Sequence, residues 1–289
     1  MSSETLTLAL SLEGEGTGRR ASGNGYTLAM TICRVDKVLM GGAAAVIGGA
    51  AVFGAPLGIA VPAGALIAVL ADGIFRPASS TLYPTISRGP RDRPMVALTF
   101  DDGPDAEVTP TVLDVLEQFG ARATFFAIGR NVEANMNVAR RIVAGQHELA
   151  NHSWQHSRFQ NFYNRGTQAA DLSRSAGLIR EITGVDAEPL YRPPIGLKSP
   201  PLARAAHERK LTMVGWSVHG RDTMQEDSER IAADILKRIT AGDIVLLHDG
   251  HDLPNRHRRA GAKALPLILQ GLRERGLQAV TVSELLKLR

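Results

Sequence analysis

One cysteine, Cys33, in 289 residues leaves no internal disulfide and removes the thiolate-rich zinc sites. Any metal in this chain must therefore be held by imidazole and carboxylate. Aromatics make up only 5% of the chain, and the Lys and Arg behind the net charge of +4 are scattered, so the basic, aromatic surface of a nucleic-acid binder is missing. No nucleic-acid partner is expected. Apolar periodicity is absent from Met1 to Asn24, and residues 1–33 are expected to form a flexible tail. Charge is absent from Val38 to Ala71, where the chain is almost wholly Ala, Gly, Val, Ile and Leu.

That uncharged run, within residues 34–76, is a membrane-segment candidate. As one continuous helix it would measure about 51 Å against a hydrocarbon core of roughly 30 Å. The sequence Gly54-Ala55-Pro56-Leu57-Gly58 divides it into Val38–Ala55 and Leu57–Phe75, each just long enough to cross, and a helical hairpin is expected. Small residues four apart, Ala45/Gly49 and Gly54/Gly58, permit close helix approach in lipid. A cleaved signal peptide fits less well, because the run starts late and is too long. Basic residues flank both ends, Arg34 and Lys37 before it and Arg76, Arg88, Arg91 and Arg93 after it, and a hairpin keeps both flanks on one side. The chain is expected in the cell (inner) membrane, in contact with lipid, with the side taken by the remainder left open.

Residues 77–94, rich in Pro, Ser and Arg, read as a linker, and 95–289 as the catalytic domain. Strand-length apolar runs recur at Met95–Phe100, Ala123–Ile128, Glu148–Asn151, Pro189–Tyr191, Thr212–Val218, Ile244–Leu247 and Gln278–Val282. Helical stretches lie between most of them: Pro110–Phe119, Thr167–Thr183, Ser228–Thr240 and Ala262–Arg275. Many such stretches stop at a glycine, as at Gly120, Gly184 and Gly276. This βα rhythm predicts a parallel sheet or closed barrel whose strand C-terminal ends carry the chemistry.

The unusual polar residues fall at those ends. Asp101 and Asp102 follow the first strand, and two adjacent carboxylates suit one metal ligand and one base. Side chains alternate on extended backbone, so both reach one cleft only if the Gly103-Pro104 turn re-aims them. His152 and His156 are four apart, which on a helical turn puts both imidazoles on one face; with a carboxylate they make a three-ligand site with an open position. Arg192, stiffened by Pro193 and Pro194, can pair with a carboxylate base, and N–H groups of that turn can receive an oxyanion. His248 ends a very apolar strand and reads either as a satisfied core histidine or as a general acid; Asp222 offers a carboxylate to orient it. His147, His207, His251 and His257 read as structural or surface residues.

In order, Thr99–Pro104, His152–His156, Arg192–Gly196, Trp216–Asp222 and Leu246–Asp249 resemble the five motifs of the polysaccharide deacetylases, the NodB-homology group of carbohydrate esterase family 4. The resemblance covers about Pro94 to Leu288. It implies an α/β fold, a distorted (β/α)7-type barrel preceded here by the apolar helical segment. It also implies metal-dependent removal of N-acetyl groups from an amino-sugar glycan or lipid-linked saccharide. Residue by residue it implies metal ligands at Asp102, His152 and His156, a catalytic base at Asp101 steadied by Arg192, a general acid at His248 tuned by Asp222, and an oxyanion donor at the Ile195 backbone N–H. Zinc suits such a ligand set, with cobalt, nickel and manganese as alternatives.

Three departures mark the substrate-shaping positions. Ile195 stands where an aromatic is usual, His219 where an acid begins the fourth motif, and Asp222-Thr223 where Asp-Trp is usual. Two alternatives stay in view: a hydrolase of another non-peptide amide such as an N-formyl sugar, and an inactive glycan-binding membrane protein. Acetate against formate release separates the first, and the filled ligand positions argue against the second.

Overall fold

The computed structural model describes residues 33–53, 56–185, 189–253 and 258–287. The expected tail, apart from Cys33, lies outside them, as do Gly54 of the expected Gly54/Gly58 pair and His257. The described residues form one compact unit.

Two apolar helices come first, α1 (Arg34–Phe53) and α2 (Leu57–Phe75), with mean hydropathies of 1.5 and 2.0 over their most apolar stretches. Both are long and apolar enough to cross a membrane. They cross at Gly49 and Gly58, where a Cβ on Gly58 would stand 2.1 Å from the Gly49 carbonyl oxygen. Only hydrogen fits there. Their outer faces leave Met40, Ile47, Val61 and Ile67 exposed. The base of the pair is buried differently: Cys33 and Val35 pack with Leu82, Tyr83, Leu202 and Ala206, and Arg204 pairs with Asp36 at 2.7 Å. Residues 77–94, expected as a linker, are built into the fold and carry β1 (Thr85–Ile86).

The remaining elements follow in chain order: β2 (Met95–Asp101), α3 (Val108–Gln118), β3 (Thr124–Ala127), α4 (Gly129–Ala134), α5 (Met136–Ala144), β4 (Glu148–Asn151), α6 (Arg165–Thr183), α7 (Pro200–Glu208), β5 (Met213–Val214), β6 (Val218–His219), α8 (Ser228–Leu236), β7 (Ile244–His248), α9 (Ala260–Glu274), β8 (Gln278–Val280) and α10 (Val282–Leu286). The main sheet is ordered β4-β3-β2-β7-β6, all parallel, with β8 on the first half of β2. β1 pairs with β5, and Tyr191 bridges Asn151 at the end of β4 to Met213 at the start of β5. The expected run Thr212–Val218 is two short strands, interrupted at Gly215, whose N–H bonds to Ile86 instead. The run Pro189–Tyr191 supplies a single bridging residue.

Alternation along β2 decides where the core and the site lie. Val96, Leu98 and Phe100 face α3 and α9 in the larger apolar cluster, where Phe100 stacks on Phe125 at 5.2 Å. Burial of each such side chain contributes roughly 1.5–3 kcal/mol. The opposite face turns Ala97 into a second cluster with Phe126, Val214 and Ile244, and Thr99 and Asp101 follow it at two-residue intervals. Asp101 therefore surfaces at the C-terminal end of the inner face.

Candidate active site

At the end of β2 the backbone leaves the strand abruptly. Asp102 takes a left-handed conformation (φ +74), and its Oδ1 and Asp101 Oδ2 each lie 3.6 Å from His152 Nε2, so both carboxylates reach one cleft. Asp249 lies directly under this turn, where a Cβ on Gly103 would meet its carboxylate at 2.3 Å. The Thr109 hydroxyl donates to Asp249 at 2.6 Å, and burial pushes the Asp249 carboxyl up to about 7.

The two histidines do not sit on a helical turn, contrary to the sequence expectation. Residues 152–156 form a loop in which Ser153 (φ +68) and His156 (φ +50) take left-handed conformations. Side chains hold it: Ser153 N–H donates to Asn151 Oδ1, His156 N–H to Ser153 Oγ, and the Trp154 and Gln155 N–H groups to Asp171 on α6. The rings nevertheless come together, 4.8 Å between centroids. His152 Nδ1 is 2.7 Å from the Arg192 carbonyl, which can only accept, so Nδ1 carries the proton and Nε2 presents its lone pair. That Nε2 is 3.6 Å from Asp102 Oδ1, and His156 Nε2 is 3.2 Å from the same oxygen. Burial and the neighbouring His156 push His152 down to about 3, which keeps it a neutral donor.

Asp102, His152 and His156 are buried, and their ligand atoms lie within 4.8 Å of one another. Asp102 Oδ1 has no hydrogen-bond partner among the described residues. A buried carboxylate oxygen left unpaired beside two imidazole nitrogens is what a cation requires, so the donor set fits a divalent metal.

Arg192 lies under Asp101 with no exposed surface. Its Nη1 donates to Asp101 Oδ1 at 2.6 Å and to Thr99 Oγ1 at 2.8 Å; Nε and Nη2 donate to the Val214 and Gly215 carbonyls. The guanidinium also stacks 4.0 Å over the Phe126 ring. Burial raises the Asp101 pKa, while the Arg192 charge and hydrogen bond act against that rise. Asp101 Oδ2 is 3.6 Å from His152 Nε2, beside the triad.

Across the cleft, His248 at the end of β7 has Nδ1 3.1 Å from Asp222 Oδ1, and its N–H donates to Asp222 Oδ2 at 2.8 Å. Burial disfavours the charged ring, yet the Asp222 carboxylate, with Asp102 and Asp101 beyond it, outweighs burial and raises His248 to about 9. Ile195 occupies the turn after Tyr191 with φ +49 and an exposed side chain.

All eight residues picked out in the sequence thus lie on loops or strand ends at one rim. Sequence reasoning placed Asp249 in the last motif without giving it a role, and missed Asp171 and Arg258. The last donates from Nη1 to Asp102 Oδ2 at 2.5 Å. Its one signal is an Arg-rich run, Arg256 to Arg259, which reads as surface. Arg258, Arg259 and Lys263 line a cavity of about 540 Å³ that Asp222 also borders.

The comparisons with known proteins converge. Residues 88–214 match the family model described as polysaccharide deacetylase. A peptidoglycan-N-acetylglucosamine deacetylase of Bacillus cereus is 36% identical over 68% of this chain and 91% of its own length. A chitooligosaccharide deacetylase of Bradyrhizobium is 35% identical over 63% of this chain and 86% of its own. Among solved structures, the Bc1960 peptidoglycan N-acetylglucosamine deacetylase superposes with a TM-score of 0.66 at 29% identity, covering 71% of this chain and 94% of that one. The chain is similar to each of these in its α/β fold with parallel sheets.

Proposed function

We propose, from the premise that this chain belongs to the polysaccharide deacetylase family, that it removes the N-acetyl group from an amino-sugar glycan or lipid-linked saccharide, releasing acetate and a free amine. It is a hydrolase of non-peptide C–N bonds. The observation that carries the reading is the unpaired Asp102 Oδ1 between two imidazole nitrogens, with Asp101 clamped beside them by Arg192.

A divalent cation held by Asp102, His152 and His156, zinc by the preference of this ligand set, would supply Lewis acidity and acidify water at that point. The side chains supply the proton movements. An amide is a weak electrophile with a poor leaving group, so a base, an oxyanion site and an acid are all needed. Asp101 takes the proton of the attacking water, and Arg192 fixes the carboxylate while leaving Oδ2 open toward the triad. The Ile195 N–H receives the developing oxyanion. His248, held protonated by Asp222, returns a proton to the departing nitrogen from Nε2, since Nδ1 is engaged.

The same reading makes the sheet, continued by Tyr191 to β5, a distorted seven-stranded barrel, and α1 and α2 a membrane hairpin that places the enzyme at the cell (inner) membrane. Purified full-length protein should carry one divalent metal and release acetate from chitooligosaccharide or peptidoglycan fragments, and the Asp101→Asn variant should not. Formate release from an N-formyl sugar without acetate release would move the assignment to the formyl alternative.

A further inference from the structure

The apolar hairpin and the catalytic rim meet directly. Lys198, buried four residues beyond Pro194, donates from Nζ to the carbonyls of Arg76 (3.1 Å), Pro77 (2.8 Å) and Ser79 (2.8 Å), and its N–H donates to the Ile74 carbonyl in the last turn of α2. Pro77 packs against the same turn so closely that a Cβ on Gly196 would meet it at 2.7 Å. Ile195 is three residues from Lys198 and so lies within about 10 Å of it, and Lys198 is itself bonded to the last turn of α2. One edge of the site is therefore at the level where α2 ends.

The exposed apolar side chains agree. Outside the hairpin, seven large ones are exposed among the described residues, and five of them, Phe159, Phe162, Ile195, Met224 and Leu253, are on loops at the strand C-terminal ends. Phe162 is 86% exposed and Met224 83%. A sugar groove buries its stacking aromatics when occupied, but it gives no reason for aliphatic side chains distributed around the whole rim. A lipid surface does.

The charge beside the general acid adds the chemistry of the substrate. Arg258, Arg259 and Lys263 line, together with Glu226, the cavity bordered by Asp222, the residue that holds His248; Arg258 pairs with Asp102 and Arg259 with Glu107, so an incoming anion shares these cations with carboxylates. In a 2-acetamido sugar carried on a membrane lipid, a phosphate ester sits at C1, next to the carbon bearing the amide. The anion is thus carried on the carbon next to the one that bears the leaving nitrogen, and cations on the leaving-group side of the site meet it.

Building on the deacetylase reading, we propose that the hairpin holds the mouth of the site against the lipid surface and that the substrate is an N-acetylated amino sugar linked through phosphate to a membrane lipid. The docked rim engages lipid through Phe159, Phe162 and Ile195, and the Arg258, Arg259 and Lys263 cavity receives the phosphate.

Two measurements on the full-length protein in phosphatidylethanolamine/phosphatidylglycerol vesicles test this. Tryptophan is placed at the rim by Phe162→Trp, or at the far end of α6 by Val185→Trp, and fluorescence is read with brominated lipids. Quenching at 162 and none at 185 is expected; absence of quenching at 162 overturns the orientation. Deacetylation of polyprenyl-phosphate N-acetylglucosamine is then compared with that of chitotetraose, and kcat/KM is expected to favour the lipid-linked sugar by about 100-fold or more, the advantage of confining both partners to one surface. Equal or faster turnover of chitotetraose overturns the substrate assignment and leaves the deacetylase reading standing. Failure to deacetylate either sugar sinks that reading and this substrate with it, whatever the quenching shows.

Discussion

Arg192 reaches Asp101 at 2.6 Å in a position where both side chains are buried, and the same guanidinium donates to Thr99 and to two backbone carbonyls. Such a fork cannot be reproduced by an ammonium. Arg192→Ala leaves the Asp101 charge buried without its partner, and a loss of about 3–5 kcal/mol in urea unfolding is expected. Arg192→Lys should restore charge but not aim, recovering stability more than turnover. Full turnover in the Lys variant would remove the orienting role.

In the proposed mechanism the two adjacent carboxylates divide the work. Asp101→Asn should retain the metal, measured by elemental analysis, and lose about 100-fold to 10,000-fold in turnover, the usual contribution of a positioned base. His152→Ala should lose metal and turnover together, because Nε2 faces Asp102. Equal metal loss in the two variants would contradict the division.

Much of this site could be read from the chain because chemistry and topology coincide: several strand-length runs end in a candidate site residue, as Leu98-Thr99-Phe100-Asp101 and Leu246-Leu247-His248 show. The strands β2, β3, β4 and β7 lie within a residue or so of the apolar runs. What could not be read depends on long-range contacts. The His152–His156 spacing suggests a helical turn, but Asp171, fifteen residues beyond His156, supplies the acceptors that hold a left-handed loop instead. Thr212–Val218 looks continuous until Pro77 packs under Gly215 and β1 takes its N–H. Arg258 carries only the signal of an Arg-rich run that reads as surface; the fold brings it to Asp102.

His248 gives a pH dependence of known sign. Burial works against its charge, but Asp222 holds it up to about 9 from the model-compound value of 6.5. The stabilisation from the protonated ring is therefore fully present below 6.5 and lost as pH rises through about 9. As an acid in catalysis it fixes the alkaline limb of kcat/KM. A cation on Asp102 offsets part of the rise, since Asp102 contributes to it. Asp222→Asn should move the limb to lower pH by about one unit or more. An unmoved limb would assign it to another group.

On the proposed ligand set, Arg258 would compete with a metal for Asp102. Its Nη1 contacts Asp102 Oδ2 at 2.5 Å, so a cation bound at Oδ1 brings like charges close together. Arg258→Ala should bind metal more tightly, by about tenfold for a 1.4 kcal/mol relief. The metal-free variant should also melt lower than the metal-free parent, because a buried carboxylate has lost its partner. Competition against a chromogenic chelator measures the first effect, and weaker binding would mean that Arg258 positions the ligand and does not oppose the metal.

Lys198 shows how the apolar helices bear on the chemistry. Its ammonium has exchanged water for three carbonyls at the exit of α2, and the turn carrying Ile195 is tied to that exit through it. Pro77, in the same exit, also backs Gly215, whose carbonyl receives Arg192 Nη2. The connection thus reaches both the turn proposed to receive the oxyanion and the support of the proposed base. Lys198→Met removes the donors and leaves three acceptors unpaired. It should lower kcat by about tenfold or more, as expected for a misaligned oxyanion donor, with metal content and KM little changed. Lys198→Arg, which keeps charge and donors, should recover part of kcat. A matching fall in metal content, or no recovery with Arg, would reduce Lys198 to a residue that only stabilises the junction.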